Sequence, residues 1–516
     1  MQKFLTICFC ALLVAPILLP AQGVDISLSG KFSLRDLDNY PIDGPTYKIG
    51  DFFYSLELDW KGMQLAYTAK LDKIKYAIIL HEYDQQMKEV KTFAFRNKQK
   101  DFGPFAPRVV LFQGQLLLFY YNVVEDRSIG LSMAVIDPVK LEETAHKDLY
   151  NIVERNVGIF KMEHAIEHNR LVLSISPDSS RLLVAQSGNI DELYTCIVNN
   201  KLEVESPVTS RVRPGLQDIE FTDGTIDRDG NRYLGYMYRV DKMTRSGVLL
   251  QKVGLKDSYL DLKGGQTIQG VENPRFHLSG DGLKIYLYAT CFSDNMTCGF
   301  ALATVDAGLQ KIDAAHFFPF PLEVKEWMEK VGYSRETGMN GENYFTDAIS
   351  ELRDGTVVIS GYPLVSTFNA GVTRGTFVNY AGPIINGFIK NGEVHFAVIY
   401  RNQETSPASG FVAVAADDKL VLLYNDGERN ILSADATGSK RTISPLGLVL
   451  AQAVFDHDGK LISKSKIANK DRGLNFLTSL TQRLSDNSFL IPVGQKTYNM
   501  LRYYVVTEQW ANVNLR

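Results

Sequence analysis

The sharpest grouping of chemically capable side chains in this chain is His164-Ala165-Ile166-Glu167-His168. On a helix, two imidazoles four residues apart stand one above the other and can share a zinc ion. A glutamate beside them can then take a proton from the metal-bound water. That chemistry is metal-assisted hydrolysis, and it needs the helix. The strand-like run Gly158–Met162 precedes the motif, and Asn169-Arg170 and the strand-like Leu171–Ser176 follow it. In an extended segment His164 and His168 share a face while Glu167 points to the other, and no third ligand is identifiable. A polar loop between strands is therefore favoured over a zinc pair.

A second grouping suits a hard cation. Asp227, Asp229 and Asn231 place oxygen-bearing side chains at alternate positions, as calcium loops do. The downstream glutamate of a full calcium loop is missing, and Asp-x-Asp-Gly is also what a tight turn wants on conformational grounds. The plain turn is favoured and calcium is the alternative; Asp456-His457-Asp458-Gly459 is a weaker copy. Tyr233, Tyr236, Tyr238 and Arg239 form an aromatic and cationic cluster that could recognise a sugar or peptide. On a strand Tyr236 and Tyr238 share one face, so packing explains them more simply. Cys291 and Cys298 flank the polar stretch 292–297 between two strand-like runs, where a disulfide could close the hairpin; two thiols in neighbouring strands are the alternative. Cys196 reads as a buried thiol. The sequence shows no Gly-x-Ser-x-Gly elbow, phosphate-cradling loop or dinucleotide fingerprint, and no cofactor is expected.

The elements that would carry these residues are short strands rich in Val, Ile, Leu, Tyr and Phe, joined by tight turns. The turns can be followed at Trp60-Lys61-Gly62, Gln113-Gly114, 177–180, 227–230, 279–282, 353–355, Asp417-Asp418, 456–459 and 485–487. Runs such as Leu116–Tyr121 are apolar on both faces, so each hairpin must be covered on both sides by its neighbours. The spacing of the turns suits four-stranded blades of roughly 40–50 residues plus loops. The expected fold is all-β, a single β-propeller over 24–516 with about seven four-stranded blades, six to eight being allowed. A strand around Asp25–Leu34 is expected to close the ring against Leu501–Thr507. Over 321–336, Val324, Trp327, Met328 and Val331 fall at helical spacing and predict one short inserted helix packed on the propeller.

Ser176-Pro177-Asp178-Ser179-Ser180-Arg181-Leu182-Leu183 resembles the Ser-Pro-Asp-Gly hairpin of TolB-like and related bacterial secreted β-propellers. Ser279-Gly280-Asp281-Gly282-Leu283-Lys284-Ile285-Tyr286 is a looser copy. Ser179 stands where the pattern has Gly, and Gly280 where it has Pro. The resemblance covers only these hairpins and implies the fold, not a function.

Residues 1–23 read as a cleavable signal peptide. Lys3 is followed by the apolar run Phe4–Leu19, then Pro20, with small residues at Ala21 and Gly23. The run is too short to span a bilayer, so a secreted or periplasmic chain without membrane insertion is expected. Across 516 residues, 55 basic side chains face 59 acidic ones, for a net charge of −4. With neither sign in blocks, no basic footprint for nucleic acid is present. The functional expectation is a non-enzymatic propeller that binds a protein, peptide or carbohydrate through loops at one end of its axis. The alternative is a hydrolase of polysaccharide or peptide with funnel carboxylates or a metal.

Overall fold

The computed structural model of the chain describes residues 24–28, 40–41, 47–59, 77–84, 88–95, 105–124, 128–153, 171–187, 192–211, 217–239, 246–253, 258–262, 270–293, 296–308, 312–330, 345–369, 376–401, 403–404, 410–427, 448–467, 475–476, 478, 481–485, 488–499 and 502–515. Within them, strands pair antiparallel into nine sheets: one three-stranded sheet formed by an insertion, and eight that succeed one another along the chain. The eight cover 40–95, 105–153, 171–211, 217–262, 270–319, 345–399, 411–466 and 475–515. In each of these eight sheets the strands, called a to d here, follow chain order, except that the last takes its fourth strand from the N-terminus. The fourth strand is the outer one; along Glu142–Val153, for example, most side chains face solvent.

The middle strands show why the sheets must stack. In the second sheet's strand b, Gln115–Val124, Leu117, Phe119 and Tyr121 pack into one cluster with Leu182, Val184 and Tyr194 of the third sheet. Leu116, Leu118 and Tyr120 pack to the other side with Tyr54, Leu80 and Phe95 of the first. Successive side chains of a strand point to opposite faces, so a run apolar at every position needs a neighbour on each side. Similar clusters join the third sheet to the fourth, and so on to the eighth. Phe53 and Tyr83 of the first sheet meet Leu490 of the eighth. The ring is closed, and the fold is an eight-bladed β-propeller.

The count lies at the top of the expected range, one above its centre. Seven of the anticipated turns are the a–b turns of blades two to eight, and 456–459 is instead the c–d turn of the seventh blade. The first blade's a–b turn is Gly50-Asp51, between Tyr47–Ile49 and Phe52–Asp59. Trp60-Lys61-Gly62 lies outside the described residues. Closure uses the N-terminal strand, as expected, in a different register: Val24–Leu28 pairs with Leu515 back to Ala511 rather than with 501–507. It forms strand d of the eighth blade, and Ile26 packs against the cluster shared with the seventh.

The helix α1 (Leu322–Lys330) follows the fifth blade. Val324 and Met328 are fully buried against that blade and the sixth, with Trp327 beside them. The apolar stripe anticipated for 321–336 is therefore a packing face. The sixth blade carries an insertion between strands b and c: the hairpin Leu364–Asn369 with Thr376–Ala381, paired to Gln403–Glu404.

Candidate functional site

The propeller has two unlike ends. In an antiparallel blade the a–b and c–d turns share one end, while b–c and blade-to-blade connections share the other. The first end is built from tight turns that cap themselves. Gln113 and Gly114 both take positive φ, the signature of a two-residue turn matched to strand twist. In the third blade Ser176 donates from Oγ to Asp178 Oδ1 at 2.6 Å, and the Arg181 N–H donates to Ser176 Oγ at 3.0 Å. In the fifth, Ser279 donates to Asp281 Oδ1 at 2.5 Å, and the Lys284 N–H donates to Ser279 Oγ at 2.9 Å. The two hairpins singled out by sequence thus share one hydrogen-bond circuit. The Ser176 and Ser180 hydroxyls hold the Asp178 carboxyl down at about 2, and Ser279 and the Leu283 N–H lower that of Asp281.

These turns are also linked to one another. Gln113 Nε2 donates to the Ser179 carbonyl, Arg181 to the Arg228 carbonyl, and Arg228 to the Gly280 carbonyl at 3.2 Å. The Gly280 N–H reaches Glu351 Oε2 at 3.4 Å, and the Arg353 N–H donates to the Asp417 carbonyl at 3.1 Å. A run of hydrogen bonds therefore crosses from the second blade to the seventh along this end.

Asp227 sits in that run. Its Oδ1 accepts from the Asp229 and Asn231 N–H groups at 2.9 and 2.8 Å, and its Oδ2 from Asn231 Nδ2 and the Tyr233 hydroxyl at 2.7 and 2.9 Å. Asn231 offers the carboxylate its amide nitrogen, and Asp229 its backbone. The three residues make the self-capped turn that their conformational preferences predict. Tyr236 and Tyr238 are buried between the third and fourth blades, and Tyr236 donates to Gln251 Oε1 at 2.8 Å. Their surroundings are a packing interface. Arg239 ends the same strand, and its side chain is not described. His164 and His168 lie outside the described residues, in the connection between Glu142–Val153 and Leu171–Ile175.

At the opposite end the sixth, seventh and eighth blades share a buried polar network that the sequence did not single out. Arg401, 1 % exposed, donates from Nε to the Gly382 carbonyl at 3.2 Å and from Nη1 to the Gly410 carbonyl at 3.3 Å. Its guanidinium carbon lies 5.0 Å from the Tyr362 ring centroid. Thr478 donates to the same Gly410 carbonyl at 2.8 Å, and Asn425 donates to the Phe476 carbonyl at 2.6 Å. Beside them Asp426 is fully buried, and its Oδ1 accepts from the Gly427 N–H at 2.8 Å. Burial and the Asp426 charge raise the Tyr424 phenol, with Arg401 opposing, so Tyr424 is neutral at physiological pH. Burial lowers the Lys464 ammonium against the pull of Asp426. Arg401 belongs to the connection between two blades, and sequence periodicity says nothing about such residues. The signal that could have found it is an arginine directly after Tyr400, just past the end of the strand Glu393–Ile399.

A third polar chain lies on the second blade. Ser132 Oγ donates to Asp148 Oδ1 at 2.7 Å, His146 Nε2 lies 3.2 Å from that oxygen, and His146 Nδ1 lies 3.0 Å from the Tyr120 hydroxyl. Serine and histidine meet at the aspartate rather than with each other, and Tyr120 is 1 % exposed. This order does not activate a nucleophile, which needs the base on the attacking hydroxyl. The chain ties strands b, c and d together.

No family model matches the chain, and no curated protein matches it in sequence. Solved structures similar to it include a quinohemoprotein alcohol dehydrogenase from Pseudomonas putida, at 10 % identity and TM-score 0.44, covering 95 % of this chain and 76 % of that one. The β-propeller domain of the trilobed protease from Pyrococcus furiosus is similar at 12 % identity and TM-score 0.35, covering 84 % and 99 %. TolB from Acinetobacter baumannii is similar at 12 % identity and TM-score 0.25, covering 63 % and 62 %. At these values the blade assignment stands on the chain's own sheet topology. No helix among the described residues is long and apolar enough to cross a membrane.

Proposed function

We propose that this chain is an exported, non-enzymatic binding propeller that takes a protein, peptide or carbohydrate ligand at the end carrying its b–c and blade-to-blade connections. The observation that supports this most is the difference between the two ends. At the tight-turn end, backbone and side-chain donors are spent on neighbouring turns, from Gln113 to Asp417. The other end carries the inserted hairpin at 364–381 and α1, and beneath them the network centred on Arg401 holds strand ends of the last three blades together. A rigid ring with varied connections at one end is the usual physical basis of recognition by loops. Export rests on the leader-like residues 1–23.

The test uses arrayed defined oligosaccharides and arrayed peptides, followed by amide exchange of the protein with any probe retained. The proposal expects new protection confined to 362–382, 401–410 and 424–427, with the probe recovered intact. Protection at the a–b turns, or cleavage of a retained probe, contradicts it.

A further inference from the structure

Cys291 and Cys298 lie in strands b and c of the fifth blade, within Lys284–Ser293 and Met296–Asp306, next to the b–c connection. The register pairs Cys291 with Gly299 and Phe292 with Thr297, which leaves Cys298 as an extra residue. In such a bulge two consecutive residues face one on the partner strand, so Cys298 and Gly299 together oppose Cys291. A side chain at Gly299 would meet the Phe318 carbonyl at 2.3 Å, so the bulge can present only the Cys298 side chain to Cys291. Cys291 is fully buried and Cys298 half-buried, and the two are near enough for Cys298 to raise the Cys291 thiol beyond what burial does.

We propose that Cys291 and Cys298 are a reversible disulfide clasp that sets how firmly α1 is seated on the propeller. The link to the helix is direct. The Cys298 carbonyl accepts the Phe320 N–H at 2.9 Å, two residues before α1 begins. The Phe320 ring meets Phe300 edge-on at 5.0 Å within the cluster that buries Val324 and Met328. Fixing Cys298 to the neighbouring strand fixes the carbonyl that anchors the entry to the helix.

The structure holds both residues as thiols, and the oxidant is the disulfide of a thiol oxidoreductase or of oxidised glutathione. The more accessible Cys298 thiolate attacks one sulfur of that disulfide, forming a mixed disulfide and expelling the other sulfur as a thiolate. Cys291, once deprotonated, attacks the Cys298 sulfur and expels the second. The protein loses two electrons and two protons, and the oxidant leaves as its dithiol or as two glutathiones. The buried, raised thiol of Cys291 makes the second step the slow one. Cys196 takes no part: it is fully buried between the second and third blades and pushed up to about 11, mainly by burial.

The test equilibrates the folded chain in oxidised and then reduced glutathione, traps thiols by alkylation and digests without reduction using a protease that cuts before Asp294. In the oxidised sample the fragments ending at Ser293 and starting at Asp294 are expected to stay joined and to separate on reduction, with Cys196 alkylated only after unfolding. Amide exchange at Phe320 is expected to quicken on reduction, by about tenfold for a local opening made 1.4 kcal/mol easier. A Cys291→Ser variant should show the fast rate in both buffers. Fragments that separate without reduction, linkage through Cys196, or a Phe320 rate equal in both buffers overturns the proposal. None of these readouts involves a bound ligand, so they stand apart from the recognition test.

Discussion

The guanidinium of Arg181 donates to the backbone carbonyl of Arg228, and the Arg228 side chain passes the same kind of bond on to Gly280. Each turn thereby holds the next by its main chain, so the contact does not depend on which side chain the next turn carries. These bonds are near the surface, and each is worth about 1 kcal/mol. Arg181→Ala and Arg228→Ala are expected to cost about that much each in chemical denaturation. Because they act on successive bonds, exchange of the Gly280 amide should quicken more in Arg228→Ala than in Arg181→Ala. Equal exchange in both variants and the parent would show that the run carries no load.

Gly235, in strand b of the fourth blade, faces Phe276 of the fifth so closely that a Cβ there would lie 1.7 Å from the ring. Gly235→Ala is expected to destabilise by about 3 kcal/mol, the upper range for overpacking. Phe276→Leu in the same chain should recover part of that loss, as coupled neighbours do. A double variant no more stable than Gly235→Ala would place the strain elsewhere.

The carboxyls at the tight-turn end give stability a pH dependence with a defined sign. Asp178 is held at about 2 in the folded chain by the Ser176 and Ser180 hydroxyls, against about 3.9 when unfolded. The folded state binds fewer protons, so this contribution is complete above about pH 4 and is lost as pH falls towards 2. Asp281 is lowered in the same direction. The thermal midpoint should fall more steeply between pH 4 and 2 in the parent than in Asp178→Asn/Asp281→Asn. Parallel curves would remove these two groups from the account.

Arg401 is buried, with two carbonyls and an aromatic face as partners. Removing it takes the guanidinium donors away from the buried Gly382 and Gly410 carbonyls, and Arg401→Ala is expected to cost about 3 kcal/mol. Arg401→Lys should recover little, because an ammonium cannot span Gly382 and Gly410 in the same fork. A lysine variant as stable as the parent in denaturant would show that charge alone matters there.

How much of this was legible in the sequence depended on whether the signal was local. Turns such as Gln113-Gly114 and Ser279–Gly282 announce themselves through residues that tolerate positive φ or cap their own backbone, and they fell where expected. So did the buried stripe Val324 and Met328. The count of eight lies within the expected range, but the first blade's a–b turn at Gly50-Asp51 was not anticipated, because it follows an inner strand only three residues long, Tyr47–Ile49, with no apolar run to flag it. The closing register was misplaced because pairing between chain ends is set by the ring and not by neighbours in sequence. The Arg401 network joins residues from three blades across connections, and no spacing rule reaches that far.

The most direct test of the closed ring is amide exchange along Arg502–Leu515, in the full chain and in a chain lacking Val24–Leu28. The register Val24 with Leu515 through Leu28 with Ala511 predicts protection at 511–515 comparable to that of the inner strand Ser488–Asn499. That protection should be lost on deletion, with self-association through the bared edge. Rapid exchange at 511–515 in the full chain would mean that the N-terminal strand does not close the ring.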